Sequence, residues 1–166
     1  MKNLLNTVER VLNKNLSVSK LLFSEDVELV KLAINLIDSN RVNINQVDNE
    51  GKTALFGASY EVSCLLINAG IDVNYKDSNG NTALFFSDYF TTDLLIRSGA
   101  QVNIRNDNNM TAMFGADIYK ARSLIKSGAR LYVRSKSGFT ALDYSLLRAY
   151  KAELELKYNE MKILSA

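Results

Sequence analysis

The chain has 166 residues, 47% of them apolar, and a formal net charge of +2 from 20 Lys and Arg against 18 Asp and Glu. That length suits one domain with enough apolar material for a core, and the near balance of charge gives no general drive toward nucleic acid or an anionic membrane. A single Cys excludes an internal disulfide framework and a Cys-rich zinc site, and the lack of any His excludes imidazole catalysis and imidazole metal sites.

At the N-terminus, Met1-Lys2-Asn3-Leu4-Leu5 meets Glu9 and Arg10 too early to form a signal-peptide core. No stretch approaches the ~18 consecutive apolar residues of a membrane span. The expected location is the cytosol, or a host cytosol reached through a specialised secretion machine. Residues 3–15 read as an amphipathic helix with Leu4, Leu5, Val8, Val11 and Leu12 on one face. Residues 17–23 and 25–38 read as two further helices, the second with a stripe of Leu29, Leu32, Ala33, Leu36 and Ile37.

From residue 53 a repeat takes over. Thr53-Ala54-Leu55-Phe56, Thr82-Ala83-Leu84-Phe85, Thr111-Ala112-Met113-Phe114 and Thr140-Ala141-Leu142 start 29 residues apart. A strict period of this size marks stacked units that bury their apolar faces on one another. Gly70, Gly99 and Gly128 keep the spacing, each preceded by a Leu-Ile pair, and Val73-Asn74 and Val102-Asn103 follow the first two. Gly51, Gly80 and Gly138 precede three of the threonines, and Asn109 replaces glycine in the third copy. The threonine is placed to cap a helix start. The Leu-Ile pair suits the inner face of a second helix, and the glycine suits the left-handed position past its end. A polar Asp/Asn/Gly turn then leads into the next unit. Cys64 shares a column with Asp93 and Arg122, which places it near the surface as a free thiol.

These residues resemble the ankyrin repeat, a family of about 33 residues per unit with a T-P-L-H-x-A opening, two helices and a β-turn. Thr-Ala-Leu-Phe stands for the opening, and Gly70-Ile71-Asp72-Val73-Asn74 is similar to the family's G-A-D-V-N tail. The resemblance spans residues 24–150 and implies an all-α solenoid of helix-turn-helix repeats with β-turn fingertips. Residues 1–23 would be N-terminal capping helices and 24–50 a degenerate repeat; 51–79, 80–108 and 109–137 would be full repeats, and 138–166 a C-terminal cap. The family's proline is Ala in every copy, and its histidine is Phe in three copies and Asp143 in the last. The shorter unit predicts a first helix about one turn short or a very tight inter-helix loop, with Phe packing in place of histidine hydrogen bonding.

No catalytic, cofactor or metal residues are expected. There is no Gly-rich phosphate loop. Glu25-Asp26 and the Asp48, Glu50 pair fall where solvent is expected, and Asp72, Asp77 and Asp107 match turn chemistry better than calcium-ligand spacing.

The resemblance implies a non-enzymatic protein-binding module, probed at its variable columns. Lys76, Arg105 and Arg134 form a basic fingertip row, with Tyr75, Met110 and Phe139 beside it. Arg and aromatic residues are enriched at interface hot spots, so the expected partner is a protein with an acidic patch. Phe86 replaces the glycine found as Gly57 and Gly115, and with Phe85, Tyr89 and Phe90 makes the middle unit the most aromatic. The Phe56, Phe85, Phe114 column reads as inter-unit packing. The expected role is that of an inhibitor, immunity protein or bacterial effector adaptor, acting as a monomer. One alternative is nucleic-acid binding through Lys76, Arg105, Arg130, Arg134 and Lys136, against which Asp77 and Asp107 stand beside the row. Another is the targeting domain of a larger enzyme.

Overall fold

A computed structural model describes residues 18–37, 43–144 and 150–164. The helix expected over residues 3–15 lies outside the described residues. Among the described residues the protein is helical and has no strands, only isolated bridges joining Val47 to Thr53 and Arg134 to Thr140. Two compact units divide between Asp72 and Val73.

The first unit holds α1 (Val18–Leu21), α2 (Val27–Ile37) and α3 (Tyr60–Asn68). Asp26 starts α2, its Oδ1 accepting from the Glu28 N–H at 3.0 Å. Of the expected stripe Leu29 and Ala33 are buried and Leu32, Leu36 and Ile37 are half-buried, while Val30, which the stripe left out, is buried beside them. α2 packs against α1 and α3. Leu21, Leu22, Leu55, Val62, Leu66 and Ile71 complete the apolar interior of this unit.

The second unit runs through a 3-10 turn (Ala83–Phe85), α4 (Tyr89–Arg97), a 3-10 turn (Ala112–Gly115), α5 (Ile118–Lys126), a 3-10 turn (Ala141–Asp143) and α6 (Lys151–Leu164). α5 packs against both α4 and α6, and the middle 3-10 turn meets the other two. Leu84, Leu95, Met113, Leu124, Ile125, Leu131 and Leu142 are its largest fully buried side chains.

Two expectations are corrected. The spacing predicts a first helix about one turn short or a very tight inter-helix loop; the connection is tight, but in each copy of the second unit the helix shrinks further, to one 3-10 turn. Bonds such as Phe85 N–H to Thr82 O (3.0 Å) and Phe86 N–H to Ala83 O (3.0 Å) close it. Only residues 86–88 then separate the first such turn from α4, too few to finish an α-helical turn and reverse direction. Nor does the motif threonine generally cap a helix. Thr82 and Thr111 make no side-chain capping bond, the hydroxyls of Thr53 and Thr111 are buried without a partner, and Thr140 alone forms a capping box, with Asp143.

The capping falls to Ser59, Asp88 and Asp117, which accept from the N–H groups of Val62 (3.3 Å), Thr91 (2.7 Å) and Lys120 (2.8 Å). Each such cap contributes ~1 kcal/mol. α3, α4 and α5 are each nine residues long. Their exits do follow the sequence: at Gly99, φ is 93° and the next N–H, of Ala100, returns to Leu95 O at 2.9 Å, a Schellman closure.

Candidate functional site

The polar turns of the second unit are built first from their own side chains. Asp77 Oδ1 accepts from the N–H groups of Asn79 (2.9 Å) and Asn81 (2.8 Å), and Asn106 Oδ1 does the same for Asn108 (3.0 Å) and Met110 (2.9 Å). These are Asx turns, so Asp77, though buried, is fully occupied. Asn109 takes the left-handed φ of 60° that glycine takes in the other copies, a conformation Asn tolerates better than most residues.

Bonds between turns then join them in chain order. Asp107 N–H donates to Asn79 O and Lys136 N–H to Asn108 O, each at 2.9 Å. Beneath runs an asparagine ladder. Asn74 accepts from the Gln101 N–H (2.8 Å) and donates to Gly99 O (3.0 Å), and Asn103 repeats this with Arg130 (2.8 Å) and Gly128 (2.9 Å). This gives the Val-Asn dipeptide its physical role.

On this platform Lys76, Arg105, Arg134 and Phe139 are exposed, while Tyr75 and Met110 are half-buried. The arginines bond their own turns: Arg105 Nη1 donates to Asn109 Oδ1 (3.0 Å) and Arg134 Nη1 to Gly138 O (2.7 Å).

Phe86 does not join them. It follows the first 3-10 turn, at the start of α4. A nine-residue helix spans about 13 Å, so this edge and the turns that follow α4 stand a helix length apart. Phe86 (48% exposed), Tyr89 (42%), Phe90 (68%) and Tyr119 (61%) are exposed along this edge. Tyr89 meets Phe90 and Tyr119 edge to face, with ring centroids 5.3 and 6.2 Å apart. Phe85 and Phe114 are half-buried, and Phe114 packs on Tyr144 at 5.6 Å, in keeping with a packing role.

Beneath Tyr89 and Tyr119 lies an open cleft of about 280 Å³ whose walls include Asp93, Arg122, Lys126 and Lys157. Arg122 sits over the Tyr119 ring at 6.0 Å and donates from Nε to Glu153 at 2.8 Å. Asp93 pairs with Arg97 at 2.8 Å. Lys126 and Lys157 have no ion pair or hydrogen bond among the described residues.

Lys120 completes the edge from inside. It is only 3% exposed, and its Nζ donates to Ser87 O (2.8 Å) and Phe85 O (3.3 Å), the carbonyls on either side of Phe86. Burial lowers its pKa to about 8, against the opposing pull of Asp117 and Asp88.

Sequence reasoning missed Lys120, Tyr119 and the cationic cleft. The signal for Lys120 was present: Val62, Thr91 and Lys120 share one column. Tyr119 shares another with Phe90. Among the described residues no three His, Cys, Asp or Glu come together so as to hold a metal ion, and no helix is long and apolar enough to cross a membrane. The chain matches no protein-family model and no curated protein.

Proposed function

We propose that this chain is a non-enzymatic protein-binding module built from stacked ankyrin-like units. Three nine-residue helices, their Ser or Asp caps and the asparagine ladder recurring at the motif's interval support the ankyrin-like reading. The observation that carries the binding reading is the exposure of Phe86, Tyr89, Phe90 and Tyr119 together at the starts of α4 and α5. Contiguous apolar exposure of this kind marks interaction sites, and aromatic anchors supply most of the energy at such sites.

The aromatic edge grips the partner, and Lys76, Arg105 and Arg134 on the turn row add attraction and orientation. The mode is rigid complementarity, by which a monomer in the cytosol, its own or a host's, masks or tethers its target. An inhibitor, an immunity protein and an effector adaptor all work this way.

The test is affinity capture from the native cell after nuclease treatment, followed by mass spectrometry. Wild type is compared with Phe90→Ser/Tyr119→Ser and with Lys76→Glu/Arg105→Glu/Arg134→Glu. A stoichiometric protein held by wild type, lost from the aromatic variant and reduced in the charge variant is the expected result. No protein on the wild type, or equal retention by all three chains, would sink the reading.

A further inference from the structure

We propose that the cleft between α4, α5 and α6 receives an acidic protein segment, seating a carboxylate between Lys126 and Lys157 with an apolar neighbour on Tyr89 and Tyr119. This rests on the protein-binding reading and names the chemistry of what is bound.

Three cations, Arg122, Lys126 and Lys157, line a space of about 280 Å³. Arg122 and Lys126 lie four residues apart on α5, a spacing at which like charges repel. The carboxylates at hand are already committed, Asp93 to Arg97 and Glu153 to Arg122. Lys126 and Lys157, on the same cleft, therefore have no ion pair of their own among the described residues. Arg122 is held in place through Nε and Nη2 by Glu153, which leaves its Nη1 hydrogens for a ligand. An incoming carboxylate relieves the repulsion and gains charge-assisted hydrogen bonds. Asp93 on the wall and Glu153 beside Arg122 confine the positive footprint, which suits a short acidic segment and disfavours a continuous phosphate backbone. The aromatic wall supplies the apolar half of the contact.

The experiment is a titration of the full chain, followed by amide NMR shifts, with a blocked Glu-Glu-Leu-Leu-Glu-Glu peptide. The blocked Lys-Lys-Leu-Leu-Lys-Lys peptide and an oligothymidine are run beside it. Saturable shifts centred on Tyr119, Arg122, Lys126 and Lys157 are expected from the acidic peptide alone. Affinity is expected to fall about tenfold in Lys126→Glu/Lys157→Glu, with the fold retained by circular dichroism because both side chains are exposed. Shifts centred on the turns, equal binding of the basic peptide, tighter binding of the oligothymidine, or affinity unaffected by the double variant each overturn the proposal. Applied to the captured partner, the same variant separates the two readings. A partner retained equally by wild type and Lys126→Glu/Lys157→Glu overturns the cleft alone, whereas no partner on the wild type overturns the binding module.

Discussion

The turn row and the helix-start edge of the second unit carry similar residue types, but hold them in opposite ways. On the turns, Arg105 and Arg134 reach back to Asn109 and Gly138, and the backbone of each turn is tied to the next. At the helix starts, the rings of Phe90 and Tyr119 face outward while Lys120 is drawn in to the carbonyls around Phe86. A charged column is therefore not a binding surface by its composition. What counts is whether its donors are already committed, and a buried lysine can present an aromatic by fixing the backbone that carries it.

The largest effect should come from the edge. Phe90→Ser/Tyr119→Ser should weaken partner binding by at least about 2 kcal/mol, some thirtyfold or more, with folding unaffected. Calorimetry on the captured partner checks this, and a loss no greater than that of the turn-row variant would erase the contrast.

Lys120 comes next. Lys120→Ala leaves two backbone carbonyls without their donor and should lower unfolding free energy by about 1–3 kcal/mol in urea titrations. The lysine also imposes a pH signature. Its folded pKa of about 8 lies below the usual value, so the unfolded chain binds more protons between about 8 and 10.5. Stability therefore rises with pH through that window, relative to a Lys120→Met chain, by on the order of 3 kcal/mol at most. A wild-type-minus-variant difference that is flat from pH 7 to about 10.5 would contradict the buried charge.

A smaller test compares copies of one motif. In the last copy, Asp143 Oδ2 accepts from both the N–H and the hydroxyl of Thr140, each at 2.7 Å. In the third copy Phe114 occupies that position and the Thr111 hydroxyl has no partner. Thr111→Val should stabilise by about 1 kcal/mol, whereas Thr140→Val should destabilise. These bonds also hold the Asp143 carboxyl below its ordinary pKa, so their contribution is present at neutral pH and is lost as pH falls through the lowered value. Equal shifts of melting temperature in the two variants would refute the distinction.

The smallest effect is expected for Lys76→Glu/Arg105→Glu/Arg134→Glu. Exposed substitutions of this kind each change stability by about 0.5 kcal/mol or less, so the circular dichroism spectrum should be unchanged. A large drop in melting temperature would mean that the arginine-to-turn bonds matter more than their exposure implies.

Much of this was legible at the motif's interval. The positive-φ glycines, the Asn109 exception, the buried Ala-Leu pairs and the polar turns follow from residues within about five positions of each other. The Ser59, Asp88, Asp117 column was equally local, and it names the true helix caps. The motif threonine misled because it precedes a helix-like run and has a capping side chain. The fate of its hydroxyl depends on what the chain three residues later becomes, Phe114 or Asp143.

The helical class, the 29-residue spacing of elements and the chemistry of the described polar turns are legible in the residues alone, because these rest on backbone preferences and bonds between near neighbours. Tertiary structure decided which partners the charged side chains meet, and so which remain available. Lys120 meets Ser87 across 33 residues and Arg122 meets Glu153 across 31. Burial and charge pairing depend on what packing brings alongside, and no local pattern specifies that.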